Sequence, residues 1–490
     1  MEAVDIFRYG PIAKIEGEYP AALVKELTSY PVQGAEFSKA YKKGVWDGRK
    51  HLFNKRYHTF PTGLTEFLKA GLEAEGYKVN LFDHSEEPTP KRDSIDLIGI
   101  KMEGKYAFQK DCVEAMIAAK QGIVKAATGA GKSAIAIATV KYLGLPTLFI
   151  VSTKELIYQG RKNFQELLGL GDKEIGIIGD GVWEPGTFVT IASPHTLISR
   201  RKESYCKEFM EGIDVMIADE CHNAGSDTWH DVMLACPAFY RYAMSGTPVD
   251  RTDGANLRLI GTTGEIVYEI TNKQLVDLYV LPKADIIFDI VTEPKIPSRT
   301  AYPTVYKHGV SSNAQMHQKV LDWTKVFVDQ GLSVLILIEE IAHGKRLDKD
   351  LWTAVDGRFI PHQFISGTET GEVREKALED FRNREIPVLL SSKILDEGVS
   401  IDSIDCLILA GSKKSKIRTL QRLGRGLRGQ RLIVVEFSNL CHKFLIEHSL
   451  TRLADYEAEE CFPVHNSPPS AELVKKLWDA QGARYASRPR

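Results

Sequence analysis

A short β-branched run, Ile123 to Lys125, leads into Ala126-Ala127-Thr128-Gly129-Ala130-Gly131-Lys132-Ser133 and then into the helix-length stretch Ala-Ile-Ala-Ile-Ala-Thr. Strand, small-residue loop and apolar helix in that order constrain this chain more than any other feature it has. Glycines let backbone N–H groups turn inward, and the helix that follows points its positive end at the same spot. A loop of this kind cradles phosphate oxygens. Thr128, Gly129, Ala130 and Gly131 would form the cradle, Lys132 would neutralise the outer phosphates, and the Ser133 hydroxyl would ligate Mg²⁺. Ala126 stands where such loops usually carry their first glycine.

A second element lies downstream, where the apolar run Val215-Met-Ile-Ala ends on Asp219-Glu220-Cys221-His222. Carboxylates at the C-terminal end of a strand sit where α/β sheets place their ligands. Asp219 suits holding Mg²⁺, and Glu220 suits orienting and deprotonating an attacking water. Around both elements, from about residue 100 to 270, short strand-like runs alternate with amphipathic helical segments: Ile123 to Lys125, Thr147 to Val151, Phe188 to Ala192, Val215 to Ala218 and Tyr240 to Met244. A second set follows from Ala284, with Val334 to Ile338, Val388 to Leu390, Cys406 to Leu409 and Leu432 to Val435. Alternation of this kind builds parallel sheets covered on both faces.

With 490 residues, the chain has room for about three domains. The expected division is an accessory domain over 1–90, a first α/β domain over 100–278, a second over 279–460 and a tail over 461–490. Ser85 to Ser94, interrupted by two prolines, reads as a linker, and 291–311 as a surface insertion. The segment from Phe462 is expected to be partly disordered around a short helix. Lys plus Arg number 63 against 65 Asp plus Glu, a net charge of −2, so any polyanion site must be a local patch rather than a global field. Apolar runs are strand-sized, far short of a membrane span. The acidic start Met-Glu-Ala-Val-Asp lacks the pattern of a secretory signal, which points to a cytoplasmic protein. Seven well-separated cysteines with no Cys-x-x-Cys pair disfavour a disulfide framework and structural zinc.

Further segments fall into a known order. Gln109 lies upstream of the loop; Val151-Ser152-Thr153-Lys-Glu-Leu, Ala192-Ser193-Pro-His-Thr196 and Ser245-Gly246-Thr247-Pro follow; then come Ser391-Ser-Lys-Ile-Leu-Asp-Glu-Gly398-Val and Gln421-Arg422-Leu-Gly424-Arg425-Gly-Leu-Arg428. Over residues 105 to 430 the chain resembles the superfamily 2 helicases. That resemblance implies an α/β fold of two tandem RecA-like parallel-sheet domains, here with a small N-terminal α+β accessory domain. It implies ATP and Mg²⁺ as cofactors, with Gln109 reading the adenine and Gly398 near the nucleotide. Gln421 would sit near the nucleotide and water, and Arg425 and Arg428 would reach the γ-phosphate when the two domains close. Ser152, Thr153, Ser193 and Thr196 would grip the nucleic-acid backbone, and His222, Ser245 and Thr247 would couple hydrolysis to movement. One departure is Ser400, where many members carry Asp after the Gly-Val of this segment; Asp402 follows two residues later.

The block before the core sets Lys39, Lys42, Lys43, Arg49, Lys50, Lys55 and Arg56 against the single acid Asp47, interleaved with Tyr41, Trp46, Phe53 and Tyr57. Cations mixed with aromatics suit phosphate contact with base stacking or wedging, and Trp46, Arg49 and Lys50 are the candidate DNA contacts. Gly44-Val-Trp46-Asp-Gly48-Arg49, Pro61-Thr-Gly63-Leu64, Glu75-Gly-Tyr-Lys78 and Gly411-Ser-Lys-Lys-Ser-Lys-Ile resemble the phage UvsW-type recombination helicases. The resemblance implies a monomeric ATP hydrolase that unwinds and branch-migrates forked and Holliday-junction DNA in recombination and repair. Its partners would be branched, single-stranded and duplex DNA, with no membrane. An RNA helicase or remodeller, the motor of a restriction or repair complex, and a non-hydrolysing ATP-switched clamp remain as rivals.

Overall fold

The structure is a computed structural model; it describes residues 3–486 apart from 33, 128, 222–226, 247–255, 282, 354–358, 367–368, 370, 393–403 and 412–430. The chain forms two compact units, Met1–Thr271 and Asn272–Arg490. The accessory segment is part of the first unit.

In the accessory segment, strands β1 (Ala3–Tyr9), β2 (Ile12–Glu16), β5 (Thr59–Pro61) and β6 (Lys78–Asp83) make one sheet in the order β5-β2-β1-β6. A separate antiparallel ribbon pairs β3 (Ser29–Pro31) with β4 (Arg49–His51). Strand periodicity fixes which side faces inward. Val4 and Ile6 of β1 and Ala13 and Ile15 of β2 are fully buried, packed with Leu68 and Leu72 of helix α3 (Thr65–Ala74). Helices α1 (Ala21–Leu27) and α2 (Lys39–Lys42) precede the ribbon's second strand.

After α4 (Ala107–Ala119) comes an eight-stranded sheet. Its strands are β7 (Gln121–Ala126), β8 (Thr147–Ile150), β9 (Ile175–Gly179), β10 (Val182–Glu184), β11 (Val189–Ala192), β12 (Val215–Asp219), β13 (Tyr240–Ser245) and β14 (Ile266–Ile270), in the order β10-β9-β11-β8-β12-β13-β7-β14. Every pairing is parallel except β10 with β9. Helices α5 (Lys132–Leu143), α6 (Lys154–Leu168), α7 (Pro194–Arg200), α8 (Ser204–Glu211), α9 (Asp227–Ala235) and α10 (Asn256–Thr263) connect the strands. Residues 134–140 of α5 are buried all round, which explains why that stretch carries no polar face. Gly144 and Gly169 end α5 and α6 in the left-handed conformation that a Cβ disfavours.

The second unit has α11 (Asn272–Asp277), α12 (Tyr302–Tyr306), α13 (Ala314–Val328), α14 (Ile341–Thr353) and α15 (Gly371–Arg382). Its strands are β15 (Ala284–Val291), β16 (Val334–Leu337), β17 (His362–Ile365), β18 (Val388–Ser391), β19 (Cys406–Leu409), β20 (Leu432–Asn439) and β21 (Val464–Asn466). They form one all-parallel sheet, β17-β18-β16-β19-β20-β15-β21.

Two expectations fail in this unit, the first of them in part. The 291–311 segment is a surface insertion only in its first half: residues 292–301 are largely exposed, whereas Val305, Tyr306 and Val310 enter the core beside Trp323 and Phe437. Nor are residues 462–486 loose. β21 adds an edge to β15, and helix Ala471–Ala486 buries Val474 and Leu477 in the same core, while the Gln481 amide bonds Leu432 and Asp285. Burying those side chains offsets the cost of ordering a polar, proline-interrupted segment. No described helix is long and apolar enough to cross a membrane, and all seven cysteines are buried.

Candidate nucleotide and nucleic-acid site

Strand order brings the two sequence elements together, since β7 and β12 both flank β13 and all three run parallel. Their C-terminal ends therefore lie on one edge. Gly129 and Gly131 hold φ of 91° and 83°, and Gly131 caps the start of α5. Positive φ at both positions turns the loop back over the N-terminus of a twelve-residue helix.

Lys132 opens that helix with its ammonium 3.7 Å from a Glu220 carboxylate oxygen and 3.4 Å from the Ala126 carbonyl. Its side chain is only 10% exposed, so the charge is held within the site. Glu220 lies just past β12 with φ of 50°, a left-handed backbone that costs a non-glycine residue about 1 kcal/mol. Its N–H donates to the Asp219 carboxylate at 2.9 Å. Strain at this position turns Glu220 toward Lys132 while Asp219 stays at the strand end. Ser133 follows on α5 and Asp219 ends β12, a hydroxyl and a carboxylate, both hard oxygen donors of the kind Mg²⁺ takes. Cys221 is a packing residue: burial first, then the Glu220 and Asp219 charges, push its thiol well above the ordinary range.

Gln109 of α4 is 5% exposed and donates its amide to the Ala130 carbonyl at 2.8 Å. A Cβ on Gly131 would lie 2.3 Å from that amide nitrogen. The side chain and the phosphate loop are thus in direct contact, which places Gln109 at the site. Thr128, His222, Thr247, Gly398, Gln421, Arg425 and Arg428 lie outside the described residues, as do Ser400 and Asp402. Ser245 is described, buried at the end of β13.

The expected backbone-gripping residues cluster on the other half of the same edge. Ser152 and Thr153 follow β8, Ser193 and Thr196 follow β11, and these two strands are paired. Thr153 caps α6 by accepting the Leu156 N–H at 3.3 Å, and Ser193 occupies the cap position of α7. All four are half-buried.

In the accessory segment, two of the three expected contacts are held by its own residues and the third by α9. Trp46 is half-buried and donates its indole N–H to the Arg49 carbonyl at 2.7 Å. Arg49 donates to the Ser29 hydroxyl and carbonyl, both at 2.9 Å. Lys50 pairs with Asp227 at the start of α9. Phe37 and Val45, 76% and 80% exposed, stand out instead, near exposed Tyr41, Lys39, Lys42 and Lys43. Exposed Tyr57 carries the Arg56 guanidinium over its ring. Sequence reasoning passed over Phe37, Val45 and Asp227. No local pattern marks an aromatic as exposed, and the Lys50–Asp227 partnership spans 177 positions.

The likenesses to known proteins agree with this geometry. Residues 104–250 match the family described as Type III restriction enzyme, res subunit, and residues 318–430 the family described as Helicase conserved C-terminal domain. The DNA 3'-5' translocase XPB2 of Sulfurisphaera tokodaii is 25% identical over 430 residues, 81% of this chain and 92% of that protein. The ATP-dependent DNA helicase uvsW of Enterobacteria phage T4 is 22% identical over 431 residues, 83% of each. A helicase of a Sulfolobus islandicus filamentous virus is 24% identical over 337 residues, and there the match spans 58% of the relative's length. Among solved structures, S. cerevisiae Dbp5 bound to RNA and ADP BeF3 aligns with a TM-score of 0.53 at 12% identity over 84% of this chain and 97% of that one, a likeness of fold alone. With a phosphate loop facing strand-end carboxylates in the first unit and the helicase C-terminal family matched in the second, the chain belongs to the superfamily 2 helicases and resembles UvsW among them.

Proposed function

We propose that the chain is an ATP-driven DNA translocase that unwinds forks and migrates the branch of four-way junctions. The observation that carries this reading is the Lys132 ammonium held 3.7 Å from Glu220 at the edge where β7 and β12 end. A motor needs a cation that meets the outer phosphates and a base that meets water, each idle until nucleotide arrives. The two charges face each other across the site. Bound Mg²⁺-ATP supplies the electrophilic γ-phosphorus, with Ser133 and Asp219 holding the metal. Lys132 would then turn from Glu220 to phosphate oxygen, freeing the carboxylate to orient and deprotonate the attacking water. Gln421, Arg425 and Arg428 are proposed to complete the hydrolytic set, and Ser245 and Thr247 to transmit it.

DNA as the substrate is supported by relatives whose names specify DNA, the XPB2 translocase and uvsW among them. Ser152, Thr153, Ser193 and Thr196 would hold one strand's backbone. Phe37, Tyr41 and Val45, with the lysines beside them, present apolar wedges within a cationic surface, which suits a branch point. Trp46 and Arg49 would support that surface from beneath.

The test is ATP-dependent conversion of a labelled mobile four-way DNA junction into forked products, with Lys132→Ala as control. Conversion by wild type alone supports the reading. ATPase stimulated by RNA and not by DNA would move the assignment to RNA remodelling, and junction binding that persists unchanged in Glu220→Gln without any turnover in wild type would make the protein a clamp.

A further inference from the structure

The accessory segment and the nucleotide edge are joined through two helices that each begin just after a nucleotide-site strand end. α9 starts at Asp227, shortly after Glu220, and α10 starts at Asn256, shortly after Ser245. Buried Arg241, on the strand that ends at Ser245, ties both helices down: its guanidinium donates to Met233 and Cys236 at the end of α9 and to Thr262 at the end of α10. Arg241 is the second residue of β13, so the far ends of both helices are fixed to the start of that strand.

On their other side these helices meet the accessory segment. Leu257 and Ile260 of α10 pack against the core formed by Val4, Phe60 and Leu64, while Leu259 belongs to the core under the large sheet. Contact is at backbone distance, since a Cβ on Gly63 would lie 1.9 Å from the Ile260 carbonyl oxygen and 2.6 Å from the Gly264 nitrogen. Across this seam the Asp227 carboxylate accepts both Lys50 from β4 and Arg258 from α10. One carboxylate at the head of α9 thus holds the accessory ribbon and α10 together.

We propose that α9 and α10 carry the state of the nucleotide site into the accessory segment, with Asp227 as the positioning residue that clasps α9, α10 and the β3–β4 ribbon. This rests on the motor reading above and adds to it a route and a named residue. Packing alone would leave the ribbon attached through α10; the clasp makes its orientation answer to α9 as well. Because Asp227 is a surface acid outside the nucleotide site, its substitution should separate coupling from hydrolysis.

The experiment follows amide hydrogen exchange in the full chain, with and without Mg²⁺-ATPγS, in wild type, Asp227→Asn and Asp227→Ala. In wild type, nucleotide should change exchange both at the start of α5 and across Phe60–Leu64. In either variant the α5 response should persist while the Phe60–Leu64 response falls about 5-fold. ATPase without DNA should stay within about 2-fold of wild type, while ATP consumed per junction converted rises about 5-fold. A wild-type α5 response with none at Phe60–Leu64, or variants that respond as wild type does, overturns the clasp alone. Absence of any α5 response overturns the nucleotide reading and the clasp with it.

Discussion

Two lysines in the first unit face acids that follow the same strand, β12, and they do different things. Lys132 meets Glu220 with 10% of its side chain exposed, whereas Lys50 meets Asp227 with 40% exposed. The first pair sits at the loop proposed to receive phosphate, so its value there lies in what would displace it. The second bridges two parts of the fold in water, where a single ion pair contributes at most about 1 kcal/mol. Similar contacts thus acquire different roles from where they are embedded, and the distinction can be pressed experimentally.

The sharpest break comes at the phosphate loop. Lys132→Ala should lower DNA-stimulated ATPase by about 100-fold or more and weaken nucleotide binding as well, since a charge that meets the phosphates is removed. Glu220→Gln should lower turnover by about 100-fold while nucleotide still binds, and fluorescent-nucleotide titration beside steady-state ATPase separates the two outcomes. Equal loss of binding in both variants would erase the assigned difference between cation and base.

At the seam, Gly63→Ala forces a methyl group against the Ile260 carbonyl and should destabilise the fold by roughly 1–3 kcal/mol, read as a lower urea midpoint. Lys50→Met should move that midpoint by less than about 1 kcal/mol even though coupling suffers. A large shift for Lys50→Met would mean that the pair holds the fold rather than positions it.

Acid should also act at the seam, through His230 of α9. Burial first, then the nearby Arg258 charge, pulls this imidazole down to about 4, while Asp231 opposes and Lys50 and Asp227 add smaller opposite effects. The folded value is depressed, so the unfolded chain takes up the proton first. The stability involved is full above pH 6.5 and is lost as pH falls from there toward 4. At pH 5 the loss is on the order of 2 kcal/mol. Replacing His230 by Gln should flatten that part of the urea-midpoint profile, leaving the share due to His343, which burial holds down to about 3 in the second unit. Asp227, held at about 2 first by Lys50 and then by Arg258, follows the usual carboxylate sign: its contribution is present above about pH 4 and is lost only as pH falls through 2.

Much of the nucleotide edge was legible because its parts are local. A strand, a glycine loop and a helix are adjacent in sequence, and so are an apolar strand and its terminal acids; the parallel sheet only has to align them. The accessory surface was less legible. Composition showed cations mixed with aromatics but could not show that Trp46 and Arg49 bond within the hairpin, or that Phe37 and Val45 face outward. Segments 302–311 and 462–486 were misread for a related reason: proline and polar residues argue for loops locally, while β21 and the buried Val305 and Val474 are stabilised by partners far away in the chain.

By itself, then, the sequence determined the alternating α/β pattern, the phosphate loop and the acids opposite it, because hydrophobic period and backbone permissiveness act over a few residues at a time. Tertiary structure decided the strand order that sets β12 beside β13 and β7, the docking of the accessory segment on α10, and the pairing of Lys50 with Asp227. Contacts that close over more than a hundred residues depend on the shape of a finished surface, and no local preference encodes that shape.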